Sequence, residues 1–375
     1  MAYNGTPFNN RVDNFTYPKI YAAVVDNILT SSTYASRLMG MGKPFQGKTY
    51  DYVVRISTDS QFQWVTGIET MNAAAVDDTI NLSYADTHGV QPKVSIMWES
   101  FENAGPQQAI SLDAYKLKAA GADAVNAVAT ALYQAATSTG PQPNGLGNIV
   151  DDGTLSSTIG GQSRSTYPVL DATVTASGNT MTLAKLATLD DNVSATGLTS
   201  ETPNLNLTTK TVWSLYESLN DPTVRANYNT NFLGIYDTDA AIRSSKDSGL
   251  RATAGFVALE HRGMPTIKDD KCADPSTATG GPWFKLNERY LEWRGRTEVP
   301  SVWRGHIEKV NLGGNDVYEG VGAQYQPSEY NGWFYRTDVV IPDQAGMLGY
   351  FVVMGQLCTD QPRRNGKLTG ITGVA

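Results

Sequence analysis

The sequence predicts an α+β chain. Residues 110–136 form one long stretch with helical period. Residues 51–56 and 79–84 alternate in the strand manner, and from Gly255 onward short β-patterned runs outnumber helical ones. No internal repeat of fixed period is visible. In order, the chain reads as a polar arm, an oversized hairpin, a long helix, and a mixed region that returns through strands.

Residues 1–16 are polar, rich in Asn and aperiodic, an extended arm that neighbouring chains are expected to hold. Thr16-Tyr17-Pro18 opens a helix carrying Ile20, Val24 and Ile28 at four-residue spacing. The strands 51–56 and 79–84 flank a loosely patterned tip, 57–78, which makes a hairpin too thin for a core of its own. From Thr58 to His88 that hairpin carries five acids (Asp59, Glu69, Asp77, Asp78 and Asp86) and neither Lys nor Arg. Phe62, Trp64 and Ile68 lie near its tip. An acidic flap with aromatics on it calls for a partner surface. Residues 90–98 form another alternating strand, through Val94, Ile96 and Trp98.

The long helix follows. Leu112, Tyr115, Ala119, Ala122, Val125, Val128 and Leu132 fall on one stripe, while Lys116, Lys118, Asp123 and Asn126 fall mostly off it. From Leu112 to Tyr133 it would run about 33 Å. Ser111 can cap it, Asp113 suits its first turn, and Ser138-Thr139-Gly140-Pro141 ends it. Gly121, costly inside a helix, marks a close approach. Residues 138–208 are rich in Gly, Ser, Thr and Asn, but Tyr167-Pro168-Val169-Leu170 and the helical leucines 183, 186 and 189 show that they are no flexible linker. Val212, Leu215, Tyr216 and Leu219 share a face of a further helix. Strand patterns then cover 256–259, 266–267, 283–286, 291–293, 333–341 and 350–357.

The 375 residues suffice for two or three domains or one large discontinuous one. Only 18% are charged while Tyr numbers 19, a balance that fits a protein burying much surface against partners. With a net charge of −8, a broad phosphate-neutralising face is not expected, and contact with nucleic acid is expected to be loose and non-specific. Cys272 and Cys358 form neither a CxxC nor a disulfide ladder, which points to a reducing compartment. The opening residues lack the basic and apolar regions of a signal peptide, and no apolar run approaches a membrane span, so no membrane association is expected.

Gly42-Lys43-Pro44-Phe45-Gln46-Gly47-Lys48-Thr49 satisfies the phosphate-loop pattern GxxxxGK[ST]. In a nucleotide site a strand precedes that loop and a helix begins at Lys-Thr; here helical residues 34–39 precede it and a β pattern follows. A nucleotide-binding enzyme using this loop is thus the remote alternative. The histidines His88, His261 and His306 lie far apart, and Asp269-Asp270 reads as an exposed acidic turn, so no metal is expected. Gly161-Gln162-Ser163-Arg164-Ser165 lacks the last Gly of a nucleophile elbow, and Arg363-Arg364 with Lys367 reads as a solvated basic turn. The chain is expected to have no catalytic residues and no cofactor.

Several local runs, in their order and spacing, resemble the major capsid proteins of tailed bacteriophages, whose fold is shared with encapsulins. They are Gly160-Gly161-Gln162-Ser163-Arg164-Ser165 after the long helix, Thr208-Thr209-Lys210-Thr211-Val212-Trp213, and Arg262-Gly263-Met264-Pro265-Thr266-Ile267-Lys268-Asp269. Trp283-Phe284-Lys285-Leu286-Asn287 follows, and Gly355-Gln356-Leu357, Pro362-Arg363 and Gly366-Lys367-Leu368 look similar to the family's close. The likeness runs from about Tyr17 to Leu368. It implies an N-terminal arm and helix (1–49), an extended hairpin loop (50–90), and a peripheral domain with a spine helix and the Gly/Ser/Thr-rich connection (91–207). An axial domain (208–315) and return strands of the peripheral domain (316–375) complete it.

The resemblance also implies a shell subunit that forms hexamers and pentamers around packaged double-stranded DNA, in an icosahedral or prolate virion capsid assembled in the host cytoplasm. An encapsulin-like compartment is the alternative. A separate scaffolding protein, a portal and decoration proteins are the further partners implied. The inter-subunit surface would join Asp59, Phe62, Trp64, Ile68, Glu69, Asp77 and Asp78 of one hairpin to Arg289, Arg294, Arg296 and Arg304 of a neighbour. Some relatives cross-link a hairpin lysine to a neighbour's asparagine; no Lys stands between Lys48 and Lys93 here, so a non-covalent shell is expected.

Overall fold

In the computed structural model, the described residues are 32–57, 64–68, 79–104, 111–134, 141–194, 201–226, 259–273, 279–296, 307–309, 332–340 and 345–374. The N-terminal arm and the helix expected after Thr16 lie outside them. The chain forms two units. One comprises Met1–Gln46, Thr87–Ala131 and Trp293–Gly355, the other Gly47–Asp86, Leu132–Glu292 and Gln356–Ala375.

The first unit is built on the long helix. Ser32 caps helix α1 (Thr33–Gly40) by accepting from the Ala35 amide at 3.2 Å. Strands β1 (Lys43–Phe45) and, later, β4 (Thr87–Ile96) follow, and β4 leads into the short helix α2 (Met97–Glu102). The residues read as a strand end at Met97 and Trp98 therefore begin a helix. Helix α3 (Leu112–Ala131) is the predicted long helix, with Asp113 in its first turn and the Ser111 hydroxyl accepting from the Ala114 amide. Its buried face is Leu112, Ala120, Gly121, Ala124 and Ala129, while Ala119, Ala122, Val125 and Val128 of the expected stripe are only half-buried. The stripe is displaced by about one residue because the smaller side chains face inward.

Strand β4 pairs antiparallel with β15 (Gly346–Thr359) from Gly346↔Ile96 to Gly355↔Thr87. On its other side β15 pairs with β14 (Trp333–Val340), and β13 (Ile307–Lys309) pairs with β14. Strand β1 runs parallel to β12 (Leu291–Arg296). Gly332, at φ +75°, leaves no room for a side chain: an added Cβ would stand 2.1 Å from the Met354 carbonyl oxygen. The buried Lys93 ammonium and the Ser95 hydroxyl both meet the Asp113 carboxylate, at 2.8 and 2.6 Å. Burial raises the Asp113 pKa, but these two contacts outweigh it and hold the group below its usual range. Glu99, also buried, pairs with Lys116.

The second unit contains the hairpin and a six-stranded sheet. Strands β2 (Thr49–Arg55) and β3 (Thr79–Ala85) pair antiparallel from Thr49↔Ala85 to Arg55↔Thr79. After helix α4 (Leu146–Ile149) come the two-residue strands β5 (Thr158–Ile159) and β6 (Gln162–Ser163). The sheet orders β7 (Thr173–Met181), β16 (Gly366–Val374), β11 (Gly281–Leu286), β8 (Leu205–Thr208), β10 (Met264–Lys268) and β9 (Leu259–His261). Helices α5 (Leu183–Val193) and α6 (Lys210–Ala226) cover one face, capped by the Thr182 and Thr209 hydroxyls.

Leu186, Leu189 and Val193 from α5 and Val212 and Tyr216 from α6 meet Trp283, Leu368 and Ile371 of the sheet in one core. The 3- and 4-residue spacing of those helix positions is what places them on one side. Leu183, read with the other leucines, is instead 42% exposed.

The unit boundaries differ from the expected ones. Residues 132–207 share a unit with 208–292, and 356–375 join it too, because β16 is an inner strand of the same sheet as β8 and β11. Lys367 is consequently fully buried in β16 rather than solvated, and Arg364 pairs with Glu201 at 2.8 Å; only Arg363 of that trio is exposed. Asp269 is likewise buried and accepts from the Lys271 amide, and Asp270 pairs with Lys210.

Candidate inter-subunit surface

Alternation along β2 and β3 gives the hairpin one packed face and one open face. Tyr52, Val54, Ile80, Leu82 and Tyr84 pack with Ile159, Tyr167, Val169, Leu170 and Cys358, so the hairpin's base does have a core, supplied by the rest of its unit. Val53, on the other face, is 78% exposed. Polar contacts fasten the same base. The Tyr84 hydroxyl donates to the Thr359 carbonyl at 2.7 Å and the Tyr52 hydroxyl to the Glu292 carboxylate at 3.0 Å. The Gln356 amide donates to the Ala85 carbonyl at 2.9 Å. Burial, foremost, raises the Tyr84 pKa far above that of a free phenol, so this hydroxyl remains a donor at any working pH.

Beyond that base, Trp64 is 89% exposed and Ile68 fully so. Two large apolar side chains at one loop are what a docking tip presents. Asp59, Phe62, Glu69, Asp77, Asp78 and Arg304 lie outside the described residues. Arg289 is exposed, its guanidinium 5.9 Å from the Tyr290 ring centre, and Arg296 is half-buried, 5.7 Å from that of Phe45. Arg294 is buried and donates to the Pro44 carbonyl at 3.5 Å, beside the parallel pairing of β1 with β12. It is buried within its own unit although alternation from the buried Trp293 would turn it outward, so the strand period gave no signal of this.

The sequence reading gave Arg164 no role, yet it is the most heavily bonded side chain near the hairpin. Only 1% exposed, its guanidinium donates to the carbonyls of Asp151 at 2.8 Å, Asn148 at 2.7 Å and Leu170, with the Asp171 carboxylate at 3.6 Å. Burial lowers its pKa, opposed by Asp151 and Asp171. In the phosphate-like loop, β1 occupies the first half, Gly47 takes φ +81°, and Lys48 leads straight into β2 at Thr49. A strand thus starts where a nucleotide site requires the amino end of a helix. Among the described residues no cluster of three His, Cys, Asp or Glu side chains could hold a metal, and no helix is long and apolar enough to cross a membrane.

Solved structures match this fold over nearly its whole length. The cyanophage A-1(L) capsid asymmetric unit superimposes with a TM-score of 0.61 at 15% identity, covering 94% of this chain and 96% of that one. The capsid of Myoviridae phage XM1 gives 0.56 at 9% identity, covering 99% and 100%. The holo-SrpI encapsulin complex from Synechococcus elongatus PCC 7942 gives 0.52 at 11% identity, covering 99% and 96%. No family model and no curated protein sequence matches the chain. The class is therefore defined by shape: the chain has the fold common to tailed-phage capsid subunits and encapsulins. Among the described residues are a paired two-stranded hairpin base, a 20-residue helix and two six-stranded sheets.

Proposed function

We propose that this chain is the major capsid protein of a tailed bacteriophage, self-assembling as hexamers and pentamers into an icosahedral or prolate shell around double-stranded DNA. The observation that carries this reading is the end-to-end correspondence with the cyanophage and XM1 capsid chains. The exposed pair Trp64 and Ile68 supports it, since such a tip gains by burial against another copy. Covering both side chains would contribute roughly 3–6 kcal/mol. The acids Asp59, Glu69, Asp77 and Asp78 around Phe62 then meet Arg289, Arg296 and Arg304 of the neighbour, where complementary charge sets register more than affinity.

The subunit works without catalysis, as a structural part of the virion assembled in the host cytoplasm. Its partners are a separate scaffolding protein, a portal, decoration proteins, and DNA held by confinement rather than by specific contact.

The encapsulin match favours one second reading, a compartment for protein cargo. Negative-stain imaging of the purified protein, with nuclease-protected DNA measured in the particles, separates the two. Shells containing protected DNA when made with the other head proteins support the capsid. Shells that carry only protein cargo support the compartment, and a monodisperse monomer under all conditions sinks both.

A further inference from the structure

A hairpin of two strands is a ribbon that can swing about its base, so whatever grips one of its edges sets its aim. Here the grip is the clip formed by β5 and β6. Its turn is Gly160-Gly161, at φ +53° and +77°, the two positive values that a two-residue hairpin turn of this kind requires. The Gly160 carbonyl accepts from the Ser83 amide at 2.8 Å, and the Gln162 side-chain amide donates to the Asn81 carbonyl at 2.9 Å. Asn81 and Ser83 are two residues apart in β3, so both contacts fall on the edge of β3 turned away from β2. A Cβ at Gly160 would stand 2.9 Å from that of Leu82, so the two chains meet with no slack.

Arg164 follows the clip directly and ties it to the carbonyls of Asn148, Asp151 and Leu170. The planar fork reaches these three carbonyls on separate segments from two nitrogens held in fixed geometry; a lysine ammonium has its three donors on a single atom at the end of a flexible stem and cannot reproduce that spread.

We infer that the β5–β6 clip, locked by Arg164, fixes the direction in which the hairpin leaves its unit, and that Arg164 is a positioning residue for shell assembly. The inference rests on the capsid reading. In an assembly closed by many copies of one reaching arm, a change of aim in each copy accumulates into wrong curvature. Loosening the clip therefore broadens the distribution of particle diameters before it unfolds the subunit.

The test uses Arg164→Lys and Gln162→Ala, the second because it removes one surface hydrogen bond and no core atom. Hydrogen exchange of residues 80–85 is read on the soluble subunit, thermal unfolding alongside it, and particle diameters after assembly. The expected result is exchange roughly fivefold faster at the clip in Gln162→Ala, the factor matching one net hydrogen bond. Its melting temperature stays unchanged and its diameters spread, with both effects larger in Arg164→Lys. Unchanged exchange, or faster exchange with an unchanged diameter distribution, overturns the inference. If the wild-type protein makes no particles even with the other head proteins, the capsid reading fails instead, and exchange still reports whether the clip holds β3.

Discussion

His261 packs edge-on against Tyr216 and Trp283, with ring centres 5.8 and 6.2 Å away. Burial, and then the nearby Lys285 ammonium, push its pKa down to about 4, from near 6.5 in an unfolded chain. Between those values the unfolded state binds the extra proton, so stability rises with pH through that window and this contribution is lost below about pH 4. Acidification from pH 7 to 4 should cost roughly 3 kcal/mol through this residue alone. Unfolding free energies from urea titration at the two pH values should differ less by that amount in His261→Phe; an unchanged difference would refute it.

Beside it, the fully buried Lys285 lies 3.0 Å from Asp190, which also takes Arg262 at 3.2 Å. Asp190→Ala leaves a buried cation without its partner and should cost about 3–5 kcal/mol, whereas Asp190→Leu with Lys285→Met should come out close to neutral. Denaturant titration of the single and double variants decides it. None of this was readable from the sequence. Lys285 and Asp190 are 95 positions apart, and a lone lysine in a strand pattern looks like a solvent-facing residue.

Among the elements, those defined by local period were legible. The hairpin strands matched to within a residue or two because alternation survives in a two-stranded ribbon, and α3 matched because its long apolar run has few competing readings. What period cannot tell is which side of a helix the fold prefers when alanines lie on both. The inward turn of Ala120, Gly121 and Ala124 makes the half-buried valines the dispensable ones. Ala124→Leu should therefore destabilise by about 1–3 kcal/mol through overpacking. Val125→Ala, on the half-exposed flank, should cost clearly less; thermal unfolding of both variants measures the ranking, and the reverse order would restore the expected stripe.

The clip was invisible for a different reason. What the Gly160-Gly161 turn grips lies some 80 positions earlier, and Arg164 is held only through carbonyls that no side-chain pattern records.

At the scale of the whole molecule, the capsid reading predicts that the hairpin's exposed tip matters to assembly and not to folding. Trp64→Ser with Ile68→Ser should leave the melting temperature of the subunit within about 1 °C, since exposed positions contribute little to stability. The same pair should abolish or sharply reduce particles seen by negative stain. Normal shells would show that the tip is not a contact. Asp77→Lys with Asp78→Lys should slow assembly at low salt, with the defect fading as salt screens the charges. Lys48→Ala should leave assembly and nucleotide binding alike at the wild-type level, which calorimetry with ATP can check.

One placement reaches back to the birth of the chain. The strand Gly366–Val374 runs parallel to Thr173–Met181 on one side and antiparallel to Gly281–Leu286 on the other, although it is the last described element to be synthesised. Until the ribosome has threaded it out, that sheet is missing an inner strand, and both future neighbours present bare edges to solvent. On the capsid reading, the unit that grips the hairpin is complete only once this strand has emerged, so a nascent copy lacks a finished sheet to dock with.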